Sequence, residues 1–195
     1  MILQMLENTG IGFPDLGAVA CTSGPGSFTG LRIGMATAKG IAQVRRIPII
    51  GINTLDALAQ GGLGFDGLVV PILDARKDEV YTALYRNSGN AVELIDEYRA
   101  IDPRLLAEEL KARQERVLVV GDGVAAYRKV FMAKLDRPVY FLPDRMSLPR
   151  GSHVGALASR RLADGEYDDL YSLKPFYIRP SEAEVTWAKK FGQRG

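Results

Sequence analysis

A glycine-rich turn between an apolar run and a helix constrains this chain more than any other feature. Residues Leu16 to Cys21 form a short apolar run typical of a buried strand, and Gly24-Pro25-Gly26 interrupts it before a helical pattern that continues to about Val44. A strand, a glycine turn and a helix start bring several free backbone N–H groups to one point, which is a geometry that can bind an anion. The sequence therefore predicts an α/β fold with a candidate ligand loop at this turn.

The candidate anion-binding or ligand-binding loop has two open interpretations. Its backbone could bind an anion, or its glycines could make an ordinary tight turn with Ser27 or Thr29 as the helix N-cap. No Gly-Lys-Ser/Thr follows, so it is not a Walker loop, and the glycine spacing does not give the dinucleotide fingerprint. The residues of this candidate loop are Gly24, Gly26, Ser27, Thr29 and Gly30.

Four segments resemble the bacterial TsaB (YeaZ) family, in the order in which that family carries them. The most specific is GPGSFTGLRIGMATAKGIA at residues 24–42. The others are Ile49–Leu55, Leu73–Tyr81 and Tyr171–Arg179. The resemblance spans nearly the whole chain and identifies it as a member of that family.

The resemblance implies both a fold and a role. It implies the actin-like (ASKHA) two-lobed, ribonuclease H-like α/β fold. It implies a non-catalytic activator or scaffold in the formation of N6-threonylcarbamoyladenosine at adenosine-37 of tRNA. The expected partners are a catalytic TsaD-like paralogue, a TsaE-like ATPase and, through the complex, tRNA, with a homodimer also open. ATP and metal are expected on the partner subunit, with no cofactor on this chain.

The resemblance also implies a partner surface made by two helices. In that family the first helix and the helix of the 24–42 segment contact the partner. Gly30, Gly34 and Ala38 form a ridge of small residues on the second of these helices, and each helical glycine costs roughly 1 kcal/mol relative to alanine unless a close approach offsets it. The expected interface residues are Ile2, Met5, Leu6, Gly34, Met35, Ala38, Lys39, Ala42 and Gln43. The plain alternative is that these side chains pack inside the chain.

The order of predicted elements divides the chain into two lobes and a tail. Residues 1–62 give an incomplete first lobe, residues 63–178 a second lobe with the order β-β-β-α-β-α-β-α, and residues 179–195 a C-terminal tail. The glycine-rich stretch 61–67 is the predicted hinge. The first lobe lacks the three leading strands of the family pattern, and we expect the native product to begin roughly forty residues earlier on the fold template. A wrongly assigned start, a fragment and a genuine short form all stay open.

Composition restricts the cellular setting. The 195 residues carry a net charge of +2 with basic and acidic side chains interspersed, so no basic face for nucleic acid is evident. The mildly basic tail (Arg179, Lys189, Lys190 and Arg194, with Trp187 and Phe191) could contact RNA or a partner, or be solvated. The single cysteine, Cys21, indicates a buried thiol in a reducing compartment, and no apolar run approaches a membrane span. A cytoplasmic protein is expected.

Catalytic chemistry is hard to build from these residues. The chain has one histidine, His153, so a histidine-pair metal site cannot form, and we expect neither a catalytic residue nor a metal ligand. The turn Asp74–Asp78, where the superfamily has its second phosphate loop, contains no glycine. Asp74 could hold a cation or pair with Arg76 or Lys77. The alternative function is an ATP-dependent kinase or a metallopeptidase-like enzyme of the same superfamily.

Overall fold

The chain forms two separate β-sheets with helices packed against them. The computed structural model describes residues 2–88 and 91–179, so the tail lies outside the described residues from Pro180 onward. The sequence Asn87-Ser88-Gly89-Asn90 predicts a turn, which is therefore described only in part. The helices of the described part are α1 (Ile2–Thr9), α2 (Phe28–Arg45), α3 (Thr54–Ala59), α4 (Pro103–Ala112), α5 (Gly123–Lys134) and α6 (Gly151–Ala163). The strands are β1 (Val19–Gly24), β2 (Ile49–Asn53), β3 (Leu68–Asp74), β4 (Val80–Thr82), β5 (Tyr85–Asn87), β6 (Val92–Leu94), β7 (Arg99–Ile101), β8 (Val117–Val120) and β9 (Val139–Phe141). Short 3-10 turns lie at Phe13–Asp15, Gln60–Gly62 and Asp144–Met146.

The larger sheet is built around β3. Antiparallel β5 and β4 pair with the beginning and the end of β3 on one side, and parallel β8 and then β9 follow on the other side. β6 pairs with β5 and β7 with β4, so β4 and β5 act as one interrupted strand beside β3, and β6 and β7 act as a second interrupted strand beyond it. The five resulting strands have the ribonuclease H-like order that the sequence predicts.

Alternate residues of β3 face two different helical layers. Leu68, Val70 and Ile72 lie in one core with the side chains of α4 and α5. Val69 and Leu73 lie in the other core, with side chains of α3 from the first lobe. Because β3 is buried on both faces, its sequence is a continuous apolar run without alternation.

The smaller sheet is the parallel pair β1–β2, which lies between α2 and α6. Ile49 packs with Ala38 and Ala42 of α2 on one face. Ile50 and Ile52 pack with α6 on the other face. The sequence places residues 151–164 in the second lobe, and the structure differs here, because the apolar side of α6 (Val154, Leu157, Ala158 and Leu162) matches the apolar face of β1 and β2.

After α6 the chain runs back along the first lobe, and we call residues 168–179 the strap. The Asp168 N–H donates to the Ile49 carbonyl, and the Asp168 Oδ2 accepts from the Gly51 N–H at 2.8 Å. The Phe176 N–H then donates to the Ser23 carbonyl at 2.7 Å. The strap ends in the second lobe, where Arg179 forms an ion pair with Glu79.

Several predicted boundaries shift by a few residues. β1 extends over Val19–Gly24 and β2 over Ile49–Asn53, each displaced toward the C-terminus from the predicted apolar runs. The sequence predicts Thr54 as the N-cap of the helix that follows it, but the N-cap of α3 is Asn53, whose Oδ1 accepts from the Leu55 N–H at 2.8 Å. The hydroxyl of Thr54 is buried without a partner in the described structure. The pair Asp102-Pro103 predicts a helix start with an N-cap followed by the first helical residue, and the structure confirms it, since Asp102 caps α4 and Pro103 is its first residue.

Candidate partner-binding surface and glycine loop

The glycine loop presents exposed residues between β1 and α2. Gly26, Ser27, Thr29 and Gly30 are exposed, while Gly24 is buried. The Ser27 Oγ accepts from the Gly30 N–H at 3.3 Å, so Ser27 is the N-cap of α2. The capping hydroxyl thus accepts from one of the N–H groups that an anion could have bound. Anion binding by this loop stays a prediction.

The strap closes the loop from one side. Gly24 has φ +125°, and a Cβ there would collide with the Phe176 carbonyl oxygen, so only glycine fits. The Tyr177 ring stacks on Phe28 with centroids 5.5 Å apart. Arg32 lies over the same Phe28 ring at 3.9 Å and donates from Nε to the Tyr177 hydroxyl at 3.2 Å. Arg32, a basic side chain beside the loop, therefore already has partners in the chain.

One face of α2 belongs to the core of the chain. Its buried residues are Leu31, Met35, Ala38 and Ala42, spaced by four, three and four residues. Met35 is only 4% exposed. Four expected interface residues, Leu6 of α1 together with Met35, Ala38 and Ala42, are therefore buried within the chain and cannot offer side chains to a partner.

A second face of α2 is exposed and carries small and apolar residues at heptad spacing, and we call it the α2 seam. Ile33 is 63% exposed and Val44 is 82% exposed. A Cβ added to Gly34 or Gly40 would meet no atom within 4 Å, so no packing among residues 2–88 and 91–179 offsets the helical cost of these glycines. The seam consists of Gly30, Ile33, Gly34, Thr37, Gly40, Ile41 and Val44.

The remaining expected residues divide between the helices. Ile2 and Met5 of α1 are exposed, and Leu3 beside them is exposed as well. On α2, Gln43 is exposed and Lys39 is half-buried, and both lie on a third, more polar face with Arg32. The expected set leaves out four apolar residues of these helices, of which Leu3, Ile33 and Val44 are exposed and Ile41 is half-buried. The signal that could have found the last three is the second run of apolar or small residues at spacings of three and four along α2.

The alternative catalytic residues have structural partners. His153 Nδ1 lies 3.0 Å from the Ala57 carbonyl, which joins α6 to α3. Arg76 lies 3.7 Å from the Asp74 carboxylate, as the pairing interpretation predicts. Arg76, Lys77 and Asp78 all have positive φ, so the turn is built from bulky left-handed residues. Within residues 2–88 and 91–179 no group of three or more His, Cys, Asp or Glu side chains is arranged to hold a metal ion.

A groove of about 640 Å³ separates β1 from α6. Its walls are mostly small or apolar, with Ala18 and Ala20 on β1 and Gly155 and Ala158 on α6. Cys21 also lines it, and burial, with a contribution from Asp168, raises the pKa of that thiol above its usual value. Cys21 is half-buried, less buried than the sequence predicts. A thiol with a raised pKa is a poor nucleophile.

The carboxylate of Asp56 lies where α3 packs on the larger sheet. Its Oδ1 accepts from the Tyr85 hydroxyl at 2.6 Å and from the Tyr98 hydroxyl at 2.8 Å. Burial raises the pKa of the Asp56 carboxyl above its ordinary value, and the two hydrogen bonds oppose part of that rise. Burial and the neighbouring carboxylate raise the pKa of both tyrosines, so both hydroxyls keep their protons and donate.

The two lobes and the ribonuclease H-like sheet define a protein of the actin-like superfamily. The family model described as "TsaD: tRNA N6-adenosine threonylcarbamoyltransferase" matches residues 1–187. The tRNA threonylcarbamoyladenosine biosynthesis protein TsaB of Bacillus subtilis is 32% identical over 184 residues, covering 94% of this chain and 79% of the relative. The protein of that name from Escherichia coli is 30% identical over 196 residues, covering 99% and 82%.

Solved structures agree with this fold. A crystal structure of an uncharacterized protein with similarity to peptidase YEAZ from Pseudomonas aeruginosa superposes with a TM-score of 0.79 at 27% identity, covering 92% of this chain and 81% of that one. YeaZ from Pseudomonas aeruginosa gives a TM-score of 0.76 at 26% identity, covering 91% and 80%. The chain therefore belongs to the TsaB (YeaZ) family.

Proposed function

We propose that this chain takes part in the biosynthesis of threonylcarbamoyladenosine in tRNA, as a non-catalytic subunit that binds a TsaD-like catalytic paralogue. The names of its TsaB relatives support the pathway. A TsaE-like ATPase, tRNA bound through the complex, a homodimer in the absence of the paralogue and a cytoplasmic location belong to the same proposal. No helix in the described part of the chain has the length and apolar character that a bilayer crossing requires.

The α2 seam is the observation that carries the proposal. Helical glycines lower stability, and in the part of the chain that the structure describes a Cβ at Gly34 or Gly40 would contact no other atom within 4 Å. Exposed Ile33 and Val44 flank them at heptad positions, which suits close packing against a helix of another protein. We propose that the seam, together with Ile2, Leu3 and Met5 of α1, forms the partner surface. Gln43 and Lys39 would lie at its polar margin.

The proposed absence of catalytic activity rests on two features of this chain. The position of the superfamily's second phosphate loop is occupied by Asp74–Asp78, whose side chains obstruct close backbone approach to a phosphate. His153 is engaged with the Ala57 carbonyl. Purified chain should show neither ATP hydrolysis nor metal-dependent peptidase activity above background. Turnover that disappears in His153→Ala or Asp74→Ala would contradict this part of the proposal.

The partner surface is tested by placing a charge on the seam. Ile33→Asp and Val44→Asp each add a carboxylate that must be desolvated on binding, so each should reduce co-purification with the TsaD-like paralogue of the same organism at least tenfold. Met132→Asp on α5 is the matched control, because Met132 is as exposed as Ile33, at 63%. Unchanged binding by both seam variants would place the interface elsewhere.

The role in tRNA modification is tested by an assay separate from the binding measurement. A reconstituted reaction with the paralogue, tRNA, ATP and the other pathway proteins should lose threonylcarbamoyladenosine, measured by mass spectrometry of tRNA nucleosides, in the same seam variants. The control variant should keep it. If the modification persists while the paralogue no longer co-purifies, the chain acts in the pathway by another contact.

A further inference from the structure

Asp56 connects parts of the chain that are distant in sequence. It lies on α3 in the first lobe, whereas Tyr85 is on β5 and Tyr98 precedes β7 in the second. Both hydroxyls donate to the same oxygen, Oδ1, at 2.6 and 2.8 Å. The carboxylate therefore joins two elements of the larger sheet to one helix of the other lobe.

The same cluster reaches the strap. The Tyr98 ring contacts the Phe176 ring edge-on, with centroids 5.6 Å apart. The Phe176 N–H donates to the Ser23 carbonyl of β1, and Ile178 packs against the apolar cluster that contains Tyr85. Asp56 therefore contacts Tyr98 directly and is linked to the strap through the contact between Tyr98 and Phe176.

The partners of the partly buried Asp56 carboxyl in the described part of the chain are the Tyr85 and Tyr98 hydroxyls, with no cation among them. Burying a carboxylate without a cation is costly unless strong donors satisfy it. Tyrosine hydroxyls are directional donors on stiff side chains, so a carboxylate held by two of them sets an orientation as well as satisfying its charge.

We propose that Asp56 is an interlobe latch, a positioning residue that fixes the second lobe and the strap against α3. Two lobes joined through a short connection can rotate about it unless side chains across the interface restrain them. Asp56 supplies that restraint through Tyr85 and Tyr98, and Tyr98 extends it to Phe176. This role is independent of the proposed partner surface.

The Phe176 amide is the reporter for the latch, because its hydrogen bond to Ser23 must break when the strap detaches. In Asp56→Ala, hydrogen exchange of this amide, followed by NMR, should accelerate at least tenfold more than exchange of a core amide such as that of Val119. Asp66→Ala is the matched control, since the Asp66 side chain is 95% exposed and lies 3.8 Å from its partner Arg116. It should change neither amide.

Tyr98→Phe keeps the ring against Phe176 and removes only the donor, so it decides the question even if Asp56→Ala fails to fold. Exchange at Phe176 should accelerate several-fold, and adding Tyr98→Phe to a folded Asp56→Ala chain should add nothing further at that amide, because the two side chains act as one unit. Unchanged exchange at Phe176 in Tyr98→Phe, or acceleration no greater than that of Val119, would overturn the latch.

Discussion

The Thr82 hydroxyl donates a hydrogen bond of 2.8 Å to the Pro71 carbonyl oxygen across the centre of the larger sheet. Pro71 has no N–H, so the antiparallel ladder between β3 and the β4–β5 strand is interrupted at Ala83 and Leu84, which lie opposite this part of β3. The fully buried Thr82 therefore provides a side-chain hydrogen bond beside the interruption.

Thr82→Val should destabilise the chain. The substitution keeps the shape of the side chain but deprives a buried carbonyl of a donor, which costs about 1–2 kcal/mol of unfolding free energy. Urea titration followed by circular dichroism measures it. Thr37→Val, at an exposed position of α2, is the control and should change stability by no more than about 0.5 kcal/mol. Equal effects at the two positions would show that the Thr82 hydrogen bond adds nothing.

The same region shows why the sequence predicts strands better than their interruptions. The run Glu79–Tyr85 predicts one strand, and the structure divides it into β4 and β5. The run Ala91–Tyr98 also predicts one strand, but the structure has a strand only at Val92–Leu94, with β7 following the predicted run. The reason for the division lies on the neighbouring strand β3. Pro71 interrupts the hydrogen-bond ladder between β3 and the β4–β5 strand, but it leaves the apolar pattern of β3 intact. Single-sequence periodicity carries no information about which residue lies opposite.

Gly121 at the end of β8 should tolerate no side chain. Its φ is +111°, and a Cβ would collide with the Ile72 carbonyl oxygen. Gly121→Ala should therefore cost more than about 3 kcal/mol, or prevent folding, by combining backbone strain with a clash. Gly165→Ala isolates the strain, because Gly165 has φ +77° with no atom within 4 Å, and it should cost about 1–2 kcal/mol. A smaller cost for Gly121→Ala than for Gly165→Ala would contradict the close approach.

The helix α2 shows a second limit of the sequence. Two runs lie side by side at heptad spacing, Leu31–Met35–Ala38–Ala42 and Gly30–Gly34–Thr37–Ile41–Val44. Both are small or apolar, so either could face the sheet of the chain, and only the packing on Ile49 shows that the first does. The family segment located the helix correctly, but the residues with side chains free for a partner could not be chosen before the sheet was seen.

The partly buried Asp56 should make stability depend on pH. Its carboxyl has a raised pKa in the folded chain, so between the unfolded value of about 3.9 and the raised value the folded state binds more protons. The contribution of this group is therefore fully present below the unfolded pKa and is lost as the pH rises through the folded pKa. The unfolding free energy of wild type minus that of Asp56→Asn should fall across this window. A difference that stays constant from pH 3.5 to pH 7, or rises, would contradict the assigned direction.

Gly34→Ala should change stability and binding in opposite directions. In the isolated chain the new methyl group meets no atom within 4 Å, so replacing a helical glycine should raise the unfolding free energy by about 0.5–1 kcal/mol. In a complex that packs a partner helix closely on the α2 seam, the same methyl should separate the backbones and weaken binding at least several-fold. Gly155→Ala on α6 is the matched control, because its added Cβ is equally unobstructed and lies on another helix. It should give the gain in stability with no loss of binding to the TsaD-like paralogue, as measured by calorimetry. If Gly34→Ala binds as tightly as Gly155→Ala, the glycine has no role in close approach and the seam loses its main support.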